Sequence, residues 1–99
     1  MTEIRDIAEK VRSKNAGPFW LTIDIFCGSK SAYDRISKGL ETGKVAALFN
    51  ADSQTIKRYD ISALNVVKIS LPRPEIQGSR ADRDMHGASF ANLVAEMEI

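Results

Sequence analysis

Residues 19–27, with the sequence FWLTIDIFC, decide how the rest of the chain is organised. The stretch is rich in β-branched, aromatic and aliphatic side chains, with Gly-Pro before it and Gly-Ser after it, a composition typical of a β-strand. Because successive side chains of a strand point to opposite faces, the odd-numbered residues form a wholly apolar face and the even-numbered residues a mixed one. The pattern predicts a central strand in a sheet that helices cover on one side only.

Two stretches precede this strand. Residues 4–12 carry apolar side chains at helical spacing, but the segment is short, and it fits either a helical turn or an edge strand. Residues 12–18, RSKNAGP, contain two cations together with serine, asparagine and glycine, and are predicted to form a loop with many hydrogen-bond donors.

Helical signals follow the central strand. Either Ser29 or Ser31 is expected to cap a helix whose apolar stripe ends at Leu40. Residues 44–49 predict a second helical turn or two, ending at Asn50 in a left-handed conformation.

Three more strands are predicted, at residues 55–61, 64–71 and 93–99, and a short helical turn at residues 88–92 precedes the last of them. The charged composition of residues 55–61 favours a sheet edge. The resulting order of strands and helices predicts an α+β fold, a ferredoxin-like split βαβ sandwich with a four-stranded antiparallel or mixed sheet and helices on one face. Residues 19–27 and 64–71 are expected side by side and parallel at its centre.

Length and composition exclude several classes of protein. Ninety-nine residues form a single domain, residues 1–99. With 14 basic and 13 acidic residues the net charge is +1, so no nucleic-acid partner is expected. No apolar run approaches the roughly 20 residues that span a bilayer, and the first residues do not resemble a signal peptide, so a cytoplasmic protein without membrane contact is expected. The single cysteine, Cys27, excludes an intrachain disulfide and is expected in the core.

The mixed face of the central strand is the first candidate site. Trp20 and Phe26 are predicted to form an apolar interface patch there, most readily for a subunit contact. A loop folded over the sheet and stacking of nucleotide bases are the weaker alternatives. Asp24 and Lys68, on neighbouring strands, are predicted to form a partly buried ion pair with a structural role.

The loop before the central strand is the second candidate site. Lys14, Asn15 and Gly17 are predicted to bind an anion such as a carboxylate or phosphate, through the lysine and backbone N–H groups. No P-loop or dinucleotide fingerprint is present, and a solvated turn explains the same residues equally well.

The third candidate site is the polar segment after the strand at residues 64–71. Arg73 is suited to binding a carboxylate, and Asp84 and His86 are candidate acid–base groups. A metal site would need Asp82, Asp84 and His86 together, a spacing with no established metal pattern, so neither a metal nor another cofactor is predicted. A charged loop ordered by its own ion pairs or by a partner is the simpler interpretation.

A family resemblance is carried by two groups of motifs. The first comprises IRDIA at residues 4–8, VRSKNAGPF at 11–19 and DIF at 24–26; the second comprises PRP at 72–74, GS at 78–79 and DRDMHGA at 82–88. Over nearly its whole length the chain resembles a family of small bacterial domains of unknown function. That family is similar to the ferredoxin-fold domain of the acyclic terpene utilisation AtuA-like proteins. The resemblance implies the ferredoxin-like fold and a small subunit that works with a larger AtuA-like protein on acyl or carboxylate metabolites.

Two functions are compatible with these observations. The first is an accessory subunit that docks on an AtuA-like partner or on copies of itself, as a homo-oligomer, since the chain has no self-sufficient catalytic set. The second is a small lyase or hydratase acting on a carboxylate or an acyl-CoA. In that case Lys14 and Arg73 would bind the anion and Asp84 or His86 would move the proton.

Overall fold

The computed structural model describes residues 2–72 and 90–99 of the chain. Four strands form one antiparallel sheet in the order β1-β2-β4-β3. The strands are β1 (Lys10–Asn15), β2 (Trp20–Phe26), β3 (Lys57–Ile61) and β4 (Val66–Pro72). The helices are α1 (Ile4–Ile7), α2 (Lys30–Gly39), α3 (Thr42–Leu48) and α4 (Phe90–Ala95), with short 3-10 turns at Ser53–Thr55 and Ser62–Leu64.

The prediction for the central strand is confirmed. Strand β2 lies between β1 and β4, and its side chains Leu21, Ile23 and Ile25 are completely buried. They form the core with the alternate residues of β4 and with apolar side chains of the helices, which are Ile4, Tyr33, Ile36, Leu40, Val45 and Val94. All the sheet residues of β2 and β4 in this core belong to one face. The helices therefore pack on one side of the sheet, as the sequence predicts.

The predicted α+β fold of the ferredoxin-like type is confirmed, but the expected parallel pair at its centre is wrong. Strands β2 and β4 are antiparallel. Two connections determine this direction: helices α2 and α3 carry the chain from β2 back to a strand β3 of the same direction, and a single 3-10 turn followed by Asn65 in the left-handed region then joins β3 to an antiparallel β4. Because β2 and β3 both run opposite to β4, they are parallel to each other, with β4 inserted between them as in a split βαβ unit.

The predicted loop at residues 12–18 is largely strand. Strand β1 continues to Asn15, paired with Leu21, and the turn is short: the Ala16 N–H donates to the Trp20 carbonyl at 2.9 Å. Gly17 in this turn has a φ of +85°, a conformation that side chains with a Cβ rarely adopt. Residues 4–12 contain both of the structures predicted as alternatives for them: helix α1 forms the first part of this segment, and strand β1 begins in its last part.

The predicted strand at residues 93–99 is wrong. Phe90–Ala95 is helix α4, with Ala91 and Val94 buried, and only an isolated bridge joins Glu98 to Glu3. The apolar residues of so short a segment fit a period of 2 and a period of 3.6 equally well. The sheet edge beside β2, which the C-terminal strand was expected to occupy, is filled by β1 from the N-terminal part of the chain.

The helical predictions after β2 are confirmed with one adjustment. Ser29 caps α2, its Oγ accepting the Ala32 N–H at 3.2 Å, and Asn50 has a φ of 52°. Helix α3 begins at Thr42 rather than after Gly43. None of the helices in the described ranges is long and apolar enough to cross a membrane.

Candidate functional site

The face of the sheet that carries no part of the helix-covered core is the main candidate surface, and we call it the open face. Its residues come from the alternate positions of all four strands. They are Lys10, Arg12 and Lys14 of β1; Trp20, Thr22, Asp24 and Phe26 of β2; Lys57, Tyr59 and Ile61 of β3; and Val66, Lys68, Ser70 and Pro72 of β4.

The open face is strongly basic. Its described residues carry five cations and one carboxylate, a net charge of +4, whereas the whole chain has a net charge of +1. The strand register distributes the charges in two rows across the sheet: Arg12, Asp24, Lys68 and Tyr59 in one, and Lys14, Thr22, Ser70 and Lys57 in the next. The near-neutral overall charge therefore conceals a local positive potential.

A cleft lies on the open face above β1 and β2. It has a volume of about 150 Å³ and is lined by Arg12, Ser13, Lys14, Asp24 and Phe26. A shallower hollow of about 290 Å³ adjoins the cleft and shares Arg12 and Phe26 with it. Its other lining residues are Glu9 and Lys10. Two cations, one carboxylate and one aromatic ring thus surround a small concave space.

The charges of this cleft are not paired with one another. Asp24 lies opposite Arg12 on one side and opposite Lys68 on the other, yet within residues 2–72 and 90–99 no ion pair shorter than 4 Å joins Asp24 to either cation. The predicted Asp24–Lys68 ion pair is therefore not formed, although the two residues are neighbours in register. Ser13 contributes to the fold, since its Oγ accepts the Ala91 N–H at 2.8 Å and so attaches α4 to β1.

The predicted anion-binding residues before β2 are separated by the strand geometry. Lys14 points to the open face, whereas Asn15, the next residue of β1, points to the other face. Gly17 lies in the turn, beyond the end of the cleft. The structure brings Lys14 together with Arg12 instead. The signal that could have identified Arg12 is the period-2 repeat of cations at residues 10, 12 and 14.

The predicted interface residues Trp20 and Phe26 both lie on the open face, but at its two ends. They are six positions apart along β2, a distance of about 20 Å. Trp20 is 37% exposed, and Lys57 Nζ lies 5.8 Å from the centroid of its ring, close enough for a cation–π contact. Phe26 is half-buried beside the cleft. The two rings form separate contact points rather than one apolar patch.

The remaining predicted site residues, Arg73, Asp84 and His86, lie outside the described residues, as does Asp82. Strand β4 ends at Pro72, which pairs with Trp20 at the same end of the sheet as the turn that contains Gly17. In the described part of the chain, no three or more histidine, cysteine, aspartate or glutamate side chains lie close enough to hold a metal ion.

On the other face of the sheet, β3 carries a fully satisfied arginine. Arg58 Nε lies 2.8 Å from Asp60 Oδ1, and its Nη atoms donate to the carbonyls of Ser37, at 2.8 Å, and Leu40, at the C-terminal end of α2. Burial opposes ionisation of Asp60, but hydrogen bonds from Arg58 and from Ser37 Oγ, together with the guanidinium charge, outweigh it and lower the pKa of Asp60.

Cys27 is a core residue, as predicted. It is 2% exposed, and burial, followed by the charge of Asp60, raises the pKa of its thiol. A buried thiol kept in its neutral form is a poor nucleophile.

Fold and surface together define a small α+β domain with an antiparallel sheet, helices on one face and a basic opposite face. The sequence profile of the family described as Domain of unknown function (DUF4387) matches residues 4–98, so the chain belongs to that family. The predicted membership of a family of unknown function is thereby confirmed, and the link to AtuA-like proteins stays a prediction. No curated protein and no solved structure matches the chain.

Proposed function

We propose that this protein is an accessory subunit that docks through its open face on an acidic surface of a larger protein. The observation that supports this proposal best is the net charge of +4 on the described residues of that face, next to the exposed side chains of Trp20 and Tyr59. Arg12 and the two aromatic rings are of the residue types that are enriched in protein interfaces, and the lysines contribute through complementary charge, which steers the encounter of two partners.

The proposed partner is an AtuA-like protein of acyl or carboxylate metabolism. The support is the family resemblance, whose most specific motif, VRSKNAGPF at residues 11–19, supplies β1 and the turn that follows it. Two of the five cations of the open face, Arg12 and Lys14, belong to this motif. The part of the sequence that carries the resemblance is therefore also part of the surface that would dock.

A second copy of the chain is a poorer occupant of the same surface. Two open faces brought together would each contribute a net charge of +4, and opposed like charges weaken an interface. The predicted homo-oligomer, if it forms, would use another surface.

Docking is tested by measuring the affinity of the purified chain for an AtuA-like protein. The double variant Arg12→Glu/Lys14→Glu reverses two charges of the open face, and we expect it to weaken binding at least about tenfold. Its matched control, Lys38→Glu/Lys44→Glu, reverses two exposed charges of α2 and α3 and should change the affinity less than about twofold.

Three outcomes would contradict the docking proposal. The wild-type chain does not bind the AtuA-like protein, or the control variant loses as much affinity as the open-face variant. In the third, the open face binds a single-stranded RNA in preference to the protein, with an affinity that falls steeply with salt.

The second function, a small lyase or hydratase, is supported by one described feature, the cations Arg12 and Lys14 at a cleft that fits a carboxylate. Its proposed acid–base residues are Asp84 and His86. It requires that the purified chain turn over a carboxylate or acyl-CoA substrate and that Asp84→Ala or His86→Ala abolish that turnover. A chain without turnover on a panel of such substrates would exclude this function.

A further inference from the structure

We infer that the cleft between β1 and β2 binds a small carboxylate that also carries a hydrogen-bond donor, such as a hydroxy acid or an amino acid. The cleft lies within the open face proposed for docking, but the inference concerns a ligand of the isolated chain and does not require the partner.

Two cations line the cleft. Arg12 and Lys14 are two residues apart on the same face of β1, so their Cα atoms are about 7 Å apart and both side chains reach the same space. Both residues are exposed, and in the described part of the chain neither side chain makes an ion pair. Their donors are therefore available to a carboxylate, which an arginine binds in a two-point geometry.

The carboxylate of Asp24 restricts the kind of anion that the cleft can bind. Asp24 is only partly exposed, lines the same cleft and has no ion-pair partner within 4 Å among the described residues. A simple anion bound by Arg12 and Lys14 would lie beside this negative charge and be repelled by it. A ligand that also has a hydroxyl or ammonium group would instead donate a hydrogen bond to Asp24, so the same residue selects for that group.

The size and polarity of the cleft fit a short-chain acid. A volume of about 150 Å³ is several times what one water molecule needs, enough for a small acid of about four carbon atoms. The ring of Phe26 lines the cleft and provides an apolar surface for the carbon chain. The neighbouring hollow of about 290 Å³, beyond the same ring, leaves room for a longer chain.

The test is a titration of the isotope-labelled full-length chain followed by its backbone amide NMR signals. The probes are 3-hydroxybutyrate, 3-aminobutyrate, butyrate and 1,3-butanediol, each compared with sodium chloride at the same ionic strength. We expect saturable shifts in β1 and β2, with 3-hydroxybutyrate or 3-aminobutyrate bound about tenfold more tightly than butyrate, and butanediol not bound. The two donor-bearing acids show whether Asp24 accepts from a hydroxyl or from an ammonium group.

Two variants separate the roles of the cleft residues. Arg12→Gln should weaken the binding of every acid about tenfold. Asp24→Asn should remove the preference for 3-hydroxybutyrate or 3-aminobutyrate over butyrate. The affinity for butyrate should rise because the negative charge that repels it is gone. Lys38→Gln, on the opposite side of the molecule, is the control and should leave all affinities unchanged.

The inference is overturned if no probe gives saturable shifts up to on the order of 100 mM, if sodium chloride reproduces the shifts, or if Asp24→Asn keeps the wild-type preference. Should Asp24→Asn fail to fold, equal affinity of the wild-type chain for 3-hydroxybutyrate, 3-aminobutyrate and butyrate would overturn it as well. Because no partner is present, a negative result leaves docking intact, and loss of docking leaves ligand binding intact.

Discussion

The two faces of the sheet each carry an arginine near an aspartate, and the two arginines are used in opposite ways. On the helix-covered face, the side chain of Arg58 is 17% exposed and its donors are taken up by Asp60 and by carbonyls of α2. On the open face, Arg12 is exposed and lies opposite Asp24 in register, yet the two form no ion pair within 4 Å. Both pairs consist of the same residue types in the same sheet.

The difference shows which charges stabilise the fold and which are available for binding. Arg58 satisfies carbonyl groups that a helix leaves without partners at its end, so its donors stabilise the attachment of α2 to β3. The donors of Arg12 are not used in this way within the described residues. We therefore expect substitutions on the helix-covered face to change the free energy of unfolding, and substitutions on the open face to change binding.

The largest effect is expected in the core beneath the helices. Ile23 is completely buried at the centre of β2, and Ile23→Ala should lower the free energy of unfolding by about 2–5 kcal/mol because it leaves a cavity. Lys14→Ala, on the exposed side of the neighbouring strand, should change it by less than about 0.5 kcal/mol. Urea unfolding followed by circular dichroism measures both. A loss of more than about 1 kcal/mol in Lys14→Ala would show that the open face also stabilises the fold.

A smaller effect distinguishes the two arginines directly. Arg58→Gln should lower the free energy of unfolding by about 2 kcal/mol, because the carbonyls of Ser37 and Leu40 and the carboxylate of Asp60 lose their charged donor. Arg12→Gln makes the same chemical change on the open face and should have an effect below about 0.5 kcal/mol. Equal losses of unfolding free energy in the two variants would show that the arginine of the open face stabilises the fold as much as Arg58 does.

How far the sequence predicted this arrangement depends on the local pattern of each segment. The sequence of residues 19–27 predicts strand β2 correctly because one face of the strand is wholly apolar, a pattern that can be recognised without knowledge of the neighbouring strands. Only the first residues of strand β1 lie in the segment for which an edge strand is one of the predicted alternatives; its last residues, SKN at 13–15, have the composition of a loop because an edge strand needs few apolar side chains. The second half of helix α4, residues 93–95, belongs to a segment whose pattern predicts a strand, because so few residues do not distinguish the two periods.

The cleft could be predicted only in part, for a related reason. The cations of residues 10–14 and the acid at residue 24 are visible in the sequence, but their proximity depends on the register of β1 against β2. A shift of that register by one residue would move Arg12 and Lys14 to the other face. The register is determined by the short turn that includes Gly17, whose length becomes known only when the end of β1 is known.

The smallest expected effect is a dependence of stability on pH that originates on the helix-covered face. Since the pKa of Asp60 is lowered in the folded protein, the folded state binds fewer protons than the unfolded state as the pH falls below the unfolded pKa of about 3.9. The stabilisation by ionised Asp60 is therefore fully present above about pH 5 and is lost as the pH falls through the lowered pKa. Asp60→Asn should be less stable than the wild type at pH 7, with a difference that narrows below about pH 4.

Urea unfolding at a series of pH values between about 7 and 2 measures this narrowing. Ser37→Ala is the matched variant, because it removes one neutral donor to Asp60 and leaves the guanidinium in place. It should show the same narrowing at a smaller amplitude, since Arg58 supplies both a hydrogen bond and a charge to the carboxylate. A constant difference between Asp60→Asn and the wild type over the whole range would mean that Asp60 stabilises the protein by packing rather than by its charge. The contrast between the two faces would then rest on Arg58 and the carbonyls of α2 alone.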